Sequence, residues 1–242
     1  MIAPRIADIW VYLAATPLLG LTITLLAYQA AYWIYARARF NPLLNPVALA
    51  IVVLVTALAL TGTPYQTYFD GAQFVHFLLG PATVALAVPL YAQLDKLRAL
   101  AMPLAGALLA GSLTAILSVL AFGWLLGASE TTLLSLAPKS VTTPIAMGIA
   151  EKIGGIPSLT AVLVILTGIS GAVMAKGVLD ALHIKDHGVR GFAVGIAAHG
   201  IGTARAFQVS EQAGAFAGLG MGLNGLATAV LAPLLMAAFR WM

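Results

Sequence analysis

The chain contains no cysteine, which excludes disulfides, thiol chemistry and Cys-type metal sites. It is also poor in charge. Only 8% of its 242 residues are Asp, Glu, Lys or Arg, against 61% hydrophobic, and mean hydropathy is +1.00. No soluble domain of this size has that balance, so the class is a polytopic helical membrane protein. The apolar runs are continuous and do not alternate, which argues against a transmembrane β-barrel. Enzyme signatures are missing too: no GxxxxGK, no HExxH and no GxSxG. Gly200-Ile201-Gly202 begins like a dinucleotide fingerprint but lacks the third glycine and a βαβ context. No enzymatic activity and no cofactor are therefore expected. His183 and His187 are spaced i, i+4 without further ligands, so no metal site is expected either. The net charge of +4 comes from basic residues in short loops beside spans, the positive-inside pattern, and no nucleic acid is implied.

Eight apolar segments fill the chain: Ile9–Ala36, Leu43–Gly62, Gln73–Tyr91, Leu100–Leu126, Ala137–Ile153, Pro157–Leu182, Gly191–Val209 and Ala213–Trp241. One span needs about 20 apolar residues, so residues 1–242 read as a single integral membrane domain. Asp8 and the length of the first run argue against a cleaved signal peptide. Arg37 and Arg39 after that run favour a non-cytoplasmic N-terminus. The fifth and seventh segments are short, and they hold most of the polar residues.

Basic loops at Tyr35–Arg39, Gln93–Arg98 and His183–Arg190 should all be cytoplasmic. Three segments separate the last two loops, and three crossings would put them on opposite sides. One of the three should then be re-entrant, and Ala137–Ile153 is the choice because it is short and opens Ala-Pro-Lys-Ser. The alternative is a loop that disobeys the rule. Offset by about 120 residues, Gly80-Pro81-Ala82-Thr83 echoes Gly200-Ile201-Gly202-Thr203, so two repeat halves are expected, about 8–127 and 131–241. Interrupted segments in matching halves are a pointer to a transporter site. The orientation of the repeats, inverted or parallel, is open at this point.

Two clusters carry the candidate chemistry. The first is His199, Gly200, Gly202, Thr203 and Arg205. Ionisable residues at membrane depth mark pathways and sites. A break at Gly200–Gly202 would start a half-helix with Thr203 as N-cap, and its free N–H groups would attract anions. Arg205 offers a planar fork suited to a carboxylate. The plainer readings are that Arg205 snorkels or pairs with Glu211, and that His199 is a neutral packing residue. The second cluster is Lys139, Ser140, Thr142 and Thr143 between Pro138 and Pro144. Here Pro138 suits a first helical turn and Pro144 interrupts continuation. Lys139 could neutralise an anion and the hydroxyls bond its oxygens; the plainer reading is an interfacial loop. Glu151, on one face with Thr143 and Met147, and His199 are the candidate proton carriers. Gly80, Pro81 and Thr83 would be the uncharged counterpart in the first half, or a proline kink. Gly214, Gly218 and Gly222 suit close helix packing, and Asn224 reads as a helix bridge or a substrate contact. Lys176 and Asp180 read as an i, i+4 ion pair.

At Leu79–Tyr91, Pro138–Ala146 and Ala198–Ala206 the chain resembles the LrgB/CidB family of bacterial inner-membrane proteins, and also the carboxy-terminal half of the plant plastidial glycolate/glycerate transporter. The resemblance implies one of two activities. One is transport of small monocarboxylates such as glycolate, glycerate or pyruvate. The other is antiholin-like control of murein hydrolase activity and cell lysis. It further implies a multi-pass protein of the bacterial inner membrane and a small LrgA/CidA-like membrane partner; a homodimer is a further expectation. The residue chemistry favours the carrier, with substrate held by Lys139, Thr203 and Arg205.

Overall fold

The computed structural model describes residues 17–78, 81 and 84–239. The start of the first apolar segment, the end of the last, and Asp8 lie outside them. The protein is an all-α, multi-pass membrane protein, and among the described residues there is no strand. Four helices are long and apolar enough to cross a membrane, and one shorter apolar helix accompanies them.

The chain divides into two compact units, 1–85 and 86–242. This boundary falls inside the expected segment Gln73–Tyr91, which is not one helix: one helix ends at Phe77 and another covers only Ala87–Tyr91. In the first unit α1 (Pro17–Arg37) packs on α2 (Pro46–Thr61) and α3 (Tyr65–Phe77). Gly20 permits the contact, since a Cβ there would stand 2.5 Å from the Tyr68 carbonyl. Asn45 caps α2 through the N–H groups of Val47 and Ala48, and Gly62, at φ +65°, ends it.

The second unit opens with two short helices, α4 (Ala87–Tyr91) and α5 (Leu94–Ala99), and then the long α6 (Ala101–Leu125). After α7 (Glu130–Leu136) the backbone leaves helical geometry until α8 (Thr143–Ile153). The remaining helices are α9 (Pro157–Ala181), α10 (His187–Val209) and α11 (Glu211–Phe239). α6 and α9 have 25 residues each, about 37 Å of helix, enough to span. Lys96 on α5 and Asp186 before α10 form an ion pair at 3.3 Å, so their loops share one face. α6 leaves that face and α9 returns to it. The chain between them must then begin and end on the far side.

It does so as a hairpin. Ile156 N–H donates to Ser135 Oγ at 2.8 Å, and Thr160 Oγ1 donates to Ser135 O at 3.0 Å, so residues about twenty apart return to one level. α8 has 11 residues, too few to cross. The prolines act differently from the sequence expectation. Pro138 sits in the turn after α7, whereas Pro144 lies in the first turn of α8, where its missing N–H costs nothing.

α10 is a second hairpin. Its backbone breaks at His199, with φ +39° and ψ −134°. A Cβ on Gly202 would lie 3.0 Å from the carbonyl of Val194, eight residues earlier; in a straight helix those positions are about 12 Å apart. Before the break α10 runs parallel to α11: Gly191 lies on Ala213 O and Gly195 on Ala217 O. After it the direction reverses, and Phe207 covers Gly214. The 23 residues of α10 therefore enter and leave on the Lys96–Asp186 face, and α11 makes the next crossing. Within residues 130–239 a re-entrant hairpin followed by a crossing helix thus occurs twice, with inverted sense. Each unit is about half the length of the repeat halves expected from sequence.

Candidate functional site

Asn224, wholly buried halfway along α11, ties the two hairpin tips together. Its Nδ2 donates to Ser140 O at 3.1 Å and to Ile196 O at 3.0 Å. Its Oδ1 accepts from Ser112 Oγ on α6 at 2.7 Å and from Thr228 Oγ1 at 3.3 Å. Ser140 belongs to the tip of the α7–α8 hairpin, and Ile196 to the last turn before the break in α10. These carbonyls have lost regular helical surroundings, and buried polar groups need partners. From sequence alone Asn224 is a helix bridge or a substrate contact. Its place at the meeting point of both tips needed the tertiary structure.

The second tip is closed by its own atoms. The buried His199 ring meets Val164 O on α9 at 2.9 Å through Nε2. Gly168 makes room for the ring, since a Cβ there would stand 2.7 Å from Cε1. Thr203 does not cap the following half-helix. Its hydroxyl donates back to His199 O at 2.8 Å, because the break falls at His199 and not at Gly200–Gly202. Gly202 is buried and Gly200 half-buried. Arg205 is half-buried and donates from Nη1 to Gln208 Oε1 at 3.2 Å.

The first tip is open. Lys139 and Ser140 reach a cavity of about 700 Å³ formed with α6, the first limb of α10, and Phe216 of α11. Leu100, Pro103, Gly188 and Val189 lie toward its outer end, near the Lys96–Asp186 pair. Thr114, Lys139, Ser140 and Ile196 lie at its inner end, the level fixed by the Asn224 hydrogen bonds. Lys139 Nζ donates to Ser140 Oγ at 3.3 Å and has no ion pair among the described residues. α8 begins at this level, and its N-cap Thr142 makes no side-chain cap bond. Its free N–H groups and Lys139 give the inner end a positive character.

Thr142 and Thr143 are half-buried beside this tip but do not line the cavity. Glu151 is exposed at the far end of α8. Arg205 is not part of the cavity wall. Pro81 is helical and exposed in the first unit, while Gly80 and Thr83 lie outside the described residues. At the outer end, Lys176 and Asp180 pair at 2.6 Å as expected, and Arg190 adds a second bond to Asp180 at 2.7 Å. Asp186 accepts from Val189 N–H at 2.9 Å, capping α10. That bond, with Lys96 beside it, holds the Asp186 carboxyl below the usual carboxylate range. Among the described residues no cluster of His, Asp or Glu could hold a metal ion.

The model of the LrgB-like family matches residues 24–238. The chain belongs to that family. Similar relatives of this LrgB-like protein include YxaC of Bacillus subtilis (strain 168), 34% identical over 94% of this chain and 98% of its own. YwbG of the same organism is 36% identical over 90% of this chain and 97% of its own. A Bacillus cereus (strain B4264) relative named antiholin-like protein LrgB is 29% identical over 91% of this chain and 96% of its own. No solved structure matches this LrgB-like chain.

Proposed function

We propose that this LrgB-like protein carries small monocarboxylates of the glycolate, glycerate or pyruvate type across the bacterial inner membrane. One observation supports the reading above others. A lysine ammonium stands at the inner end of a mostly apolar cavity with a single serine hydrogen bond and no ion pair among the described residues. A charge so placed is costly unless a counter-ion joins it. The carboxylate would meet Lys139 and Ser140, with the N-terminal end of α8 beside them. Thr142, Thr143, Gly200, Gly202 and Thr203 support the tips around it. His199 or Glu151 would carry a coupling proton. Residues 8–127 and 131–241 would be the repeat halves of one membrane domain.

The relatives' names favour a second reading more directly than the first: an antiholin-like regulator of murein hydrolase activity and cell lysis that moves no carboxylate itself. An LrgA/CidA-like partner, and a homodimer, are compatible with both. Uptake of labelled glycolate and pyruvate into proteoliposomes separates them. The carrier reading expects saturable uptake, lost in Lys139→Gln, by the protein alone or with the LrgA/CidA-like partner added. Absence of uptake in both preparations would leave the antiholin-like reading.

A further inference from the structure

One amide holds the walls around Lys139 together. Three elements reach the inner end of the cavity: α6 with Gly111 and Thr114, the α7–α8 tip with Lys139 and Ser140, and the first limb of α10 with Ile196. Each is bonded to the Asn224 side chain, α6 through Ser112 Oγ, the tip through Ser140 O and α10 through Ile196 O. Ser112, Asn224 and Thr228 are buried, and none of them lines the cavity.

Ser112 is the member whose bonding is least expected. A serine or threonine inside a helix ordinarily returns its hydroxyl to a carbonyl of the preceding turn. Ser118 of α6 and Thr167 of α9 do so, to Ala115 O and Leu163 O. The Ser112 hydroxyl instead leaves its helix and donates to Asn224 Oδ1 at 2.7 Å. Thr228 bonds the same oxygen at 3.3 Å, but it lies one turn along α11 from Asn224 and fixes no second element. Among the described hydrogen bonds, only that of Ser112 ties the α6 wall to the amide that holds the Lys139 tip.

Resting on the anion-binding reading above, we propose that Ser112 is a positioning residue of the anion site. Acting through Asn224, it fixes the spacing between the α6 wall and the tip that carries Lys139 and Ser140. It touches no ligand itself. Cutting this strut leaves the charge in place and loosens the geometry in which the carboxylate is held. A site that is about 1 Å too loose loses function while keeping all its residues.

The test is equilibrium binding of labelled pyruvate to the full chain in detergent, with the unfolding midpoint of each variant measured beside it. Ser112→Ala and Thr228→Val each remove one hydrogen bond to the same buried oxygen, so a purely structural role moves both alike. Similar falls in the midpoint are expected. Affinity should separate the two: Ser112→Ala weakens pyruvate about three- to tenfold, the range of one net hydrogen bond, and Thr228→Val by less than about twofold. Lys139→Gln should remove the binding. Equal weakening by the two variants, or none in Ser112→Ala, would overturn the positioning role and leave the anion site standing. Pyruvate bound equally well after Lys139→Gln, or not bound by the wild type, would overturn the anion site and this inference together. Should Ser112→Ala fail to fold, Ser112→Cys keeps the side-chain shape with a weaker donor, and the same contrast with Thr228→Val is expected.

Discussion

The two re-entrant hairpins enter from opposite faces and end at the same asparagine, yet their tips are built differently. The α7–α8 tip is a run of non-helical residues, 137–142, carrying a lysine and a serine hydroxyl into a cavity. The α10 tip is one residue wide, its histidine ring bonded to α9 and its first limb packed backbone to backbone on α11. One hairpin presents charge; the other is a fitted wall. A site that must recognise an anion without collapsing needs both, an exposed charged tip and a rigid surface to hold it against.

Removing what the tips share should have the largest effect. Asn224→Leu leaves Ser140 O, Ile196 O and Ser112 Oγ without their partner in a buried place. We predict a loss of about 2–4 kcal/mol, allowing for the modest strength of interhelical hydrogen bonds in lipid. Unfolding titrated with SDS in mixed micelles measures it. A loss under about 0.5 kcal/mol, the size of an ordinary surface substitution, would mean that the tips hold together without this residue.

The next test contrasts a closely packed glycine of the second hairpin with an open one of the first. Gly195→Ala drives a methyl into the Ala217 carbonyl and should cost about 1–3 kcal/mol. Gly148→Ala on α8 meets nothing within 4 Å and should be neutral or stabilising by up to about 1 kcal/mol. The same unfolding assay compares them, and equal costs would erase the distinction drawn between the hairpins.

The base of the α10 hairpin gives a smaller effect. Asp186→Ala removes the cap on Val189 N–H and should cost about 1 kcal/mol. Because the folded-state pKa of Asp186 is depressed, its contribution is complete above the unfolded value of about 4 and fades as pH falls through the folded value. Asp186→Asn should therefore flatten the acid limb of the stability profile below about pH 4. An unchanged profile would count against the contact. The smallest effect belongs to Lys96→Ala, at most about 1 kcal/mol, since its ion pair with Asp186 is partly exposed and screened. Its loss should fall further as salt is raised.

The sequence made the membrane class, the polar clusters and the need for a re-entrant segment legible. Parity of the basic loops called for one non-crossing segment, its short length and Ala-Pro-Lys-Ser start pointed to Ala137–Ile153, and the Lys96–Asp186 contact supplies the missing side assignment. The second hairpin was harder to read. An interruption near Gly200 was visible, but a kink and a full reversal have the same composition, and His199 adopts the positive φ that glycine usually takes. Gly191 and Gly195 went unnoticed as a packing motif because their partners, Ala213 and Ala217, lie on the next helix. Of the glycines chosen from sequence, Gly214 packs closely under Phe207 as expected, whereas Gly222 meets nothing within 4 Å. Arg205 drew attention by its charge, but the cavity wall runs through the limb of α10 before the break, and Arg205 lies after it.

The central claim is that an anion reaches Lys139 from the face that bears Lys96 and Asp186. The absence of cysteine makes one experiment clean. Thr114→Cys places a single thiol at the inner end of the cavity and keeps Lys139. Its labelling by a membrane-impermeant maleimide is followed in vesicles of each orientation. The account predicts labelling from the Lys96–Asp186 face, slowed by a saturating monocarboxylate, with that slowing lost when Lys139→Gln is added. Labelling only from the opposite face, or a rate indifferent to carboxylate, would contradict it.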